Sequence, residues 1–187
     1  MSLEQKINNL ETDLHIMGTL VLDSLVGAVR ALEDKDTLKA SEVMDKDDEI
    51  DDAYMKIDQD WFELMATEQP VASDLRLSTS ILQASLHLER LGDLSVYLGK
   101  TTHEIHDLPI PESLHKIVVE MGDMVIDMAS SALESLKNRD AELALSTARK
   151  DELINSLYNK MLNEVPNISG NKDFYSCLFY TSPRPRD

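Results

Sequence analysis

The sequence contains a single cysteine, Cys177, and only six glycines among its 187 residues. One cysteine cannot form an intramolecular disulfide, so a disulfide-stapled secreted fold is excluded and a reducing compartment is favoured. The glycines are scattered and form no phosphate-binding loop of the G-x-x-x-x-G-K type. The composition therefore predicts a cytoplasmic protein without a nucleotide-binding loop.

Basic residues are also scarce, because 18 lysines and arginines stand against 35 acids and give a formal charge of −17. Nucleic acid is excluded as a main partner, since phosphate contacts need a basic face. Direct adsorption to anionic lipid is disfavoured for the same reason. No apolar run of about 18 residues or more is present, which predicts no membrane span. Such a surface suits cations or a basic protein.

Apolar residues recur every three or four positions along most of the chain, which is the period of an amphipathic helix. The pattern predicts five helices and an all-α fold. They are a helix of about 30 residues from Leu3, a helix capped by Asp36 and reaching Leu64, a helix from Pro70 to about Ile105, a helix to about Leu136, and a helix capped by Asp140 that ends before Pro166.

The chain contains an internal duplication with a constant offset of 104 residues. The matched pairs are Met17 and Met121, Gly18 and Gly122, Asp36 and Asp140, Asp47 and Asp151, Ile50 and Ile154, and Tyr54 and Tyr158. The predicted fold is therefore two tandem three-helix bundles. We assign 1–106 to the first unit, 107–112 to a linker, and 113–173 to the first two helices of the second unit.

The third helix of the second unit is expected to begin near residue 174. Residues 174–187 do not resemble the segment that begins at Pro70, and Pro183 and Pro185 forbid a regular helix there. The second unit is therefore predicted to lack most of its third helix. We interpret 174–187 as a divergent or foreign tail.

Four carboxylates form the main candidate site, as two pairs with i, i+4 spacing: Asp47 and Asp51, and Glu89 and Asp93. Members of such a pair share one face of a helix. If the two helices pack antiparallel, the pairs face each other and offer four hard oxygen ligands for Mg²⁺, Mn²⁺, Ca²⁺ or iron. The alternative is a set of solvated acids on a bundle edge.

The remaining candidates are weaker. Asp151 and Asn155 occupy the matching positions in the second unit, where the neutral Asn makes any second site incomplete. The histidines show no repeated ligand spacing. Di-iron bundle proteins use two Glu-x-x-His motifs, whereas this sequence has one, at Glu112 and His115. Arg76 and Arg90 are expected to form salt bridges near the acids. No catalytic grouping is present.

Two motifs resemble the signatures of the PhoU family. They are Gln69-Pro-Val-Ala-Ser-Asp-Leu-Arg76 followed by Leu88-Glu-Arg-Leu-Gly-Asp93, and Asp47-Asp-Glu-Ile-Asp51. The order, the spacing and the duplication agree with the two three-helix units of that family. The resemblance extends over roughly residues 1–166, and it departs from the family pattern at Asn155 and in the missing last motif.

The resemblance implies that Asp47, Asp51, Glu89 and Asp93 hold a metal, which could be iron, zinc, magnesium or manganese. It implies a cytosolic, non-catalytic and often dimeric protein that restrains phosphate uptake and the phosphate-starvation response. Its expected partners are the ATP-binding cassette phosphate transporter, with its ATPase, and the sensor histidine kinase, so that it meets the membrane through proteins. Two alternatives remain at this stage, a carboxylate-bridged metal enzyme and a plain helical scaffold.

Overall fold

A computed structural model describes residues 2–164, in which all regular secondary structure is α-helical. The helices are α1 Leu3–Asp34, α2 Thr37–Asp45, α3 Asp47–Glu68, α4 Ala72–Ile105, α5 Glu112–Asn138, α6 Ala141–Arg149 and α7 Asp151–Glu164. The all-α prediction is confirmed. The tail assigned to 174–187, and the end of the segment assigned to 113–173, lie outside the described residues.

Helix α1 is the central element, because α2, α3, α4 and α5 all pack against it. Ser2 and Gln5 form a capping box at its start, and Lys35 ends it in the left-handed conformation with φ 54°. Its predicted seam is buried, with Met17 and Val21 fully inaccessible. The seam therefore forms the core of the first unit.

By length and composition alone, α1 is also apolar enough to cross a membrane. Half of its most apolar stretch is buried against the other helices. A core helix of a bundle meets the same criterion as a membrane span, and α1 has the packing of a core helix.

The predicted continuous helix from Asp36 to Leu64 is wrong at one position, Lys46, where it divides into α2 and α3. Lys46 has φ −92° and ψ 0°, and its N–H donates to the carbonyl of Val43, three residues back. Such a tightened turn needs neither proline nor glycine, so the apolar period does not reveal it. The break allows α2 and α3 each to pack on α4.

Helix α4 closes the first unit with a stripe of small residues. Ser78, Ser85 and Ser95 are fully buried. Their hydroxyls donate to carbonyls of the same helix three or four residues back, so that no buried hydroxyl in this stripe lacks a partner. Small buried side chains let α4 lie close to its neighbours.

Helices α5 to α7 repeat the backbone of α1 to α3. Lys35 and Arg139 both have φ near 54°, and Asp36 and Asp140 both cap the following helix with a side-chain oxygen. The second break falls at Lys150, 104 residues after the break at Lys46. The fifth helix predicted from Asp140 is therefore also divided, and the duplication is confirmed in the backbone.

The two units meet through α1 and α5 in a reciprocal contact. A Cβ added at Gly18 would lie 2.8 Å from Leu133 Cδ2, and one added at Gly122 would lie 2.8 Å from Val29 Cγ1. Gly18 and Gly122 are equivalent in the repeat, and so are Val29 and Leu133. The same patch on each unit therefore contacts its counterpart, as in an isologous dimer interface.

We expect Gly122→Leu to destabilise the protein by up to about 2 kcal/mol. Overpacking typically costs about 1–3 kcal/mol, and a gain of about 1 kcal/mol in helix propensity offsets part of that cost. Val29 is β-branched and 2% exposed, so it cannot rotate away. Urea denaturation measures the loss, and adding Val29→Ala should recover part of it. Strictly additive effects of the two substitutions would contradict the proposed contact.

Candidate acidic site

The acidic site lies between α3 and α4, which run antiparallel after the short connection at 69–71. Asp47 is the first residue of α3, and Asp51 follows one turn later. Glu89 and Asp93 lie in the middle of α4. Asp47 lies within electrostatic reach of Asp93, and Glu89 lies within reach of Asp51. The structure thus brings the two sequence-predicted pairs together.

Gly92 makes this approach possible. A Cβ at this position would lie 3.1 Å from both Cδ1 and Cγ2 of Ile50, which is 2% exposed. That separation is tighter than ordinary van der Waals contact. The missing side chain therefore lets α3 settle against α4 at the level of the carboxylates, at a cost of about 1 kcal/mol in helix propensity.

The pKa values of Asp47 and Glu89 are both raised above their ordinary values. Burial raises the pKa of Asp47, and the neighbouring Asp51, Asp93 and Asp48 raise it further. Burial and the charges of Asp93, Asp51 and Asp47 likewise raise the pKa of Glu89. Mutual repulsion among carboxylates disfavours their charged forms, so the cluster favours a proton or a cation.

Two cations act on the cluster without neutralising it. Lys100 lowers the pKa of Asp47 and Arg90 lowers that of Glu89, but in each case the raising effects dominate. Arg90 was expected to form a salt bridge, and the structure shows its charge acting on Glu89. The influence of Lys100 was not expected, although a position seven residues after Asp93 lies on the same stripe of α4. Arg76 lies 13 residues before Glu89 on α4, roughly 20 Å along the helix, so the expected bridge to the acids is wrong.

Asp47 also has an unusual polar environment. Its Oδ1 is buried and has no hydrogen-bond partner among the described residues. An unpaired buried oxygen costs about 1–3 kcal/mol, more when charged. A cation at this atom would remove that cost, and the carboxylate donor set suits Mg²⁺, Mn²⁺ or iron.

The side chains do not form a ready-made coordination sphere. Within residues 2–164, no three His, Cys, Asp or Glu side chains converge closely enough to hold a metal ion. Asp51 and Asp93 are exposed and point toward solvent-accessible space. Metal binding at this site would therefore require their side chains to turn inward.

The matching pair of the second unit is arranged differently. Asp151 opens α7, and the amide Nδ2 of Asn155 donates to Asp151 Oδ2 at 2.9 Å. Both residues are exposed, and no acidic pair faces them within the described part of the chain. Glu112 of the Glu112-x-x-His115 motif pairs with Lys116 at 2.5 Å, and within residues 2–164 no further His, Cys, Asp or Glu joins this motif closely enough to hold a metal ion.

Fold and site together define a helical-bundle protein in which α5–α7 repeat α1–α3, with one acidic cluster between α3 and α4 of its first unit. The family model described as "PhoU domain" matches residues 14–102 and 118–175. The chain belongs to the PhoU family.

Two relatives of this chain carry a designation that agrees with this family assignment. The chain is 32% identical to a phosphate-specific transport system accessory protein PhoU homolog of Clostridium acetobutylicum, over 88% of this chain and 75% of that protein. It is 32% identical to the protein of the same designation from Pseudomonas putida, over 86% of this chain and 62% of that protein. The chain thus spans less than two thirds of the second relative's length.

Solved structures show the same fold. The crystal structure of PhoU from Pseudomonas aeruginosa superposes with a TM-score of 0.89 at 29% identity, covering 96% of this chain and 87% of that chain. The regulatory protein PhoU from Streptococcus pneumoniae gives a TM-score of 0.81 at 28% identity, covering 90% and 79%. The predicted PhoU-like bundle architecture is therefore confirmed.

We expect Glu89→Gln to stabilise the metal-free protein, by about 0.2–0.5 kcal/mol for each like-charge contact relieved, or roughly 1–2 °C in Tm. The pKa of Glu89 is raised above its ordinary value of 4.5, so wild-type stability falls as pH rises between these two values. The variant's advantage should therefore be present above the raised pKa and absent below pH 4.5.

Thermal unfolding in a chelator at several pH values measures this difference. Glu134→Gln, which removes the same charge from an exposed position of α5 outside the acidic cluster, is the matched control. A variant that is less stable than the wild type at neutral pH would show that Glu89 is favourably paired.

Proposed function

We propose that this protein is a cytoplasmic accessory regulator of phosphate transport that restrains uptake and phosphate-starvation signalling. It acts as an adaptor, docking on the ATPase of the ATP-binding cassette phosphate transporter and on the sensor histidine kinase. Its membership of the PhoU family supports this role, as does the designation of its relatives as accessory proteins of a phosphate-specific transport system.

The observation that supports a cation site in this regulator is the proximity of four carboxylates on two facing helices. Asp47, Asp51, Glu89 and Asp93 come from two helices to one place, and the buried Oδ1 of Asp47 has no partner among the described residues. A cation would neutralise repelling carboxylates and satisfy this oxygen. We propose that the cluster binds a divalent or iron-type ion, namely iron, zinc, magnesium or manganese.

Cation binding would also affect the surface that partners meet. The exposed Asp51 and Asp93 must turn toward the ion, which removes negative charge from the outer side of α3 and α4. Removing like charge changes the encounter rate and the choice of charged partners. We therefore infer that the bound ion changes how strongly α3 and α4 dock on the transporter or the kinase. We further propose that the protein also forms a homodimer.

A carboxylate-bridged metal enzyme is the second candidate. Such bundle enzymes hold their metals with Glu-x-x-His motifs from facing helices. The motif at His115 lies on α5 and not between α3 and α4. A plain scaffold is the third candidate, and it gives no reason for an unpaired buried carboxylate oxygen at Asp47. An adaptor with a cation site needs no histidine ligands between α3 and α4, and it gives a reason for the unpaired oxygen of Asp47.

The test replaces Glu89 and Asp93 together by Ala. We expect the variant to lose bound metal and to bind the purified transporter ATPase at least tenfold more weakly. In cells lacking the native gene, it should fail to restrain phosphate uptake. Metal analysis, pull-down with the ATPase and the kinase, and phosphate uptake measure these effects, and the molecular mass reports dimerisation.

Asp151→Ala with Asn155→Ala is the matched control, since this pair has the same spacing but no facing acids in the described residues. It should retain both metal and partner binding. Unchanged metal content and unchanged partner binding after the Glu89 and Asp93 substitutions would refute the site. Loss of metal with full partner binding would separate the ion from the adaptor role.

A further inference from the structure

A cleft lies where the two units meet, between the first half of α1, the start of α4 and the end of α5. It has a volume of about 480 Å³, within the range of about 300–1,000 Å³ that is typical of small-molecule sites. We propose that this cleft binds a small organic anion with an apolar body and a singly charged head group, in the class of the medium-chain carboxylic acids.

The floor of the cleft is apolar. Leu14 and Ile81 line it with 4% and 1% of their surface exposed, and Leu133 and Leu136 are half-buried beside them. All four side chains belong to the core of the first unit or pack against it, so the protein holds them in place before a ligand arrives. An apolar body that contacts them leaves water at little cost in ordering the protein.

The rim of the cleft carries basic side chains, in a chain whose formal charge is −17. Arg139 Nη2 lies 3.0 Å from Oε1 of Glu11, so the charge of this arginine is compensated within the cleft. Lys137 Nζ lies 3.5 Å from Nε2 of His15, and no carboxylate within residues 2–164 forms an ion pair with this lysine. One uncompensated positive charge therefore lies beside the apolar floor.

The environment of Lys137 differs from that of other lysines in the described part of the chain. Five lysines each pair with an aspartate or a glutamate, namely Lys6, Lys39, Lys56, Lys116 and Lys150. Lys137 lies in the last turn of α5, where a positive charge also offsets the helix dipole. The dipole accounts for a lysine at this position, but it does not account for the contact with His15 beside an apolar cleft.

The internal repeat provides a second cleft with the opposite charge. The offset of 104 residues relates His15 to Val119 and Lys137 to Glu33, and both counterparts line a cleft near the start of α5. Among the described residues that line this second cleft, five are acids and one is a lysine. The repeated backbone therefore does not impose positive charge at this place, and the basic pair is specific to the first cleft.

The charges of the first cleft select the kind of anion. Lys137 matches a single carboxylate, whereas a doubly charged phosphate would remain partly uncompensated. The negative charge of the whole chain opposes the approach of any anion, so affinity must come from local contact with Lys137 and His15 and from apolar burial. A ligand in this cleft contacts α1 and α4 of the first unit and α5 of the second, and it therefore links the two units.

The test titrates the full 187-residue chain with octanoate, at concentrations at which octanoate is monomeric. We expect one octanoate to bind per chain in a saturable manner and to shift the NMR signals of the methyl groups of Ile81, Leu133 and Leu136. Acetate has the same head group without the apolar body, and 1-octanol has the apolar body without the charge. Each should bind at least tenfold more weakly than octanoate.

Lys137→Glu introduces the residue type of the repeat counterpart, Glu33. It should weaken octanoate binding at least tenfold and leave 1-octanol binding unchanged. Lys116→Glu is the matched control, since it makes the same charge change at another exposed lysine of α5, in the second cleft. This variant should bind octanoate as the wild type does. The readout involves neither metal nor transporter, so its failure would leave the proposed regulatory function untouched.

Four results would overturn the proposal. The first is absence of saturable binding, or methyl shifts centred on the exposed Leu145 and Leu153 of α6 and α7. The second is equal weakening by Lys137→Glu and Lys116→Glu, which would show a response to overall charge alone. The third is a dimer of the free chain that Lys137→Glu dissociates, which would assign the cleft to a second copy. The fourth is co-sedimentation with phosphatidylglycerol vesicles that Lys137→Glu abolishes, which would assign the cleft to a lipid surface.

Discussion

The contact between Gly92 and Ile50 is the constraint on which the site depends. With no side chain at position 92, α3 settles against α4 at the level where both helices carry carboxylates. Repulsion alone would keep such pairs apart. The packing of an apolar side chain against a glycine therefore holds together charges that oppose the association. Burial first, and the neighbouring carboxylates second, raise the pKa values of Asp47 and Glu89.

Glycine has a second role at the boundary between the units. Gly18 receives Leu133 and Gly122 receives Val29, so one duplicated pair of positions generates both halves of the interface. A duplicated sequence folds into two units with the same surface. If that surface is self-complementary, the two units can pack against each other through the same residues on each. The connection between units is thus a consequence of the repeat, and ion pairs such as Arg30 with Asp123 add to it at the edge.

The apolar period was sufficient to predict the helical segments apart from two breaks, and the offset of 104 residues was sufficient to predict the duplication. The i, i+4 spacing nominated four acids, and the structure places them on two facing helices. Spacing identifies residues that share a face, and a short connection implies an antiparallel neighbour. The breaks at Lys46 and Lys150 escaped prediction because they are backbone tightenings at ordinary residues. The partnerless oxygen of Asp47 and the influence of Lys100 depend on side-chain packing between helices, which no one-dimensional pattern encodes.

Comparison of the two units explains why only one is a candidate cation site. In the second unit, Asn155 donates to Asp151 at 2.9 Å, so the carboxylate has a neutral partner within its own helix. In the first unit, the equivalent Asp51 is a second acid, and it adds repulsion where Asn155 adds a hydrogen bond. A bundle optimised for stability alone would favour the arrangement of the second unit. Under the proposed function, a cation at the first unit would offset the unrelieved charge beside the buried, unpaired oxygen of Asp47, as the hydrogen bond from Asn155 offsets the charge of Asp151 in the second unit.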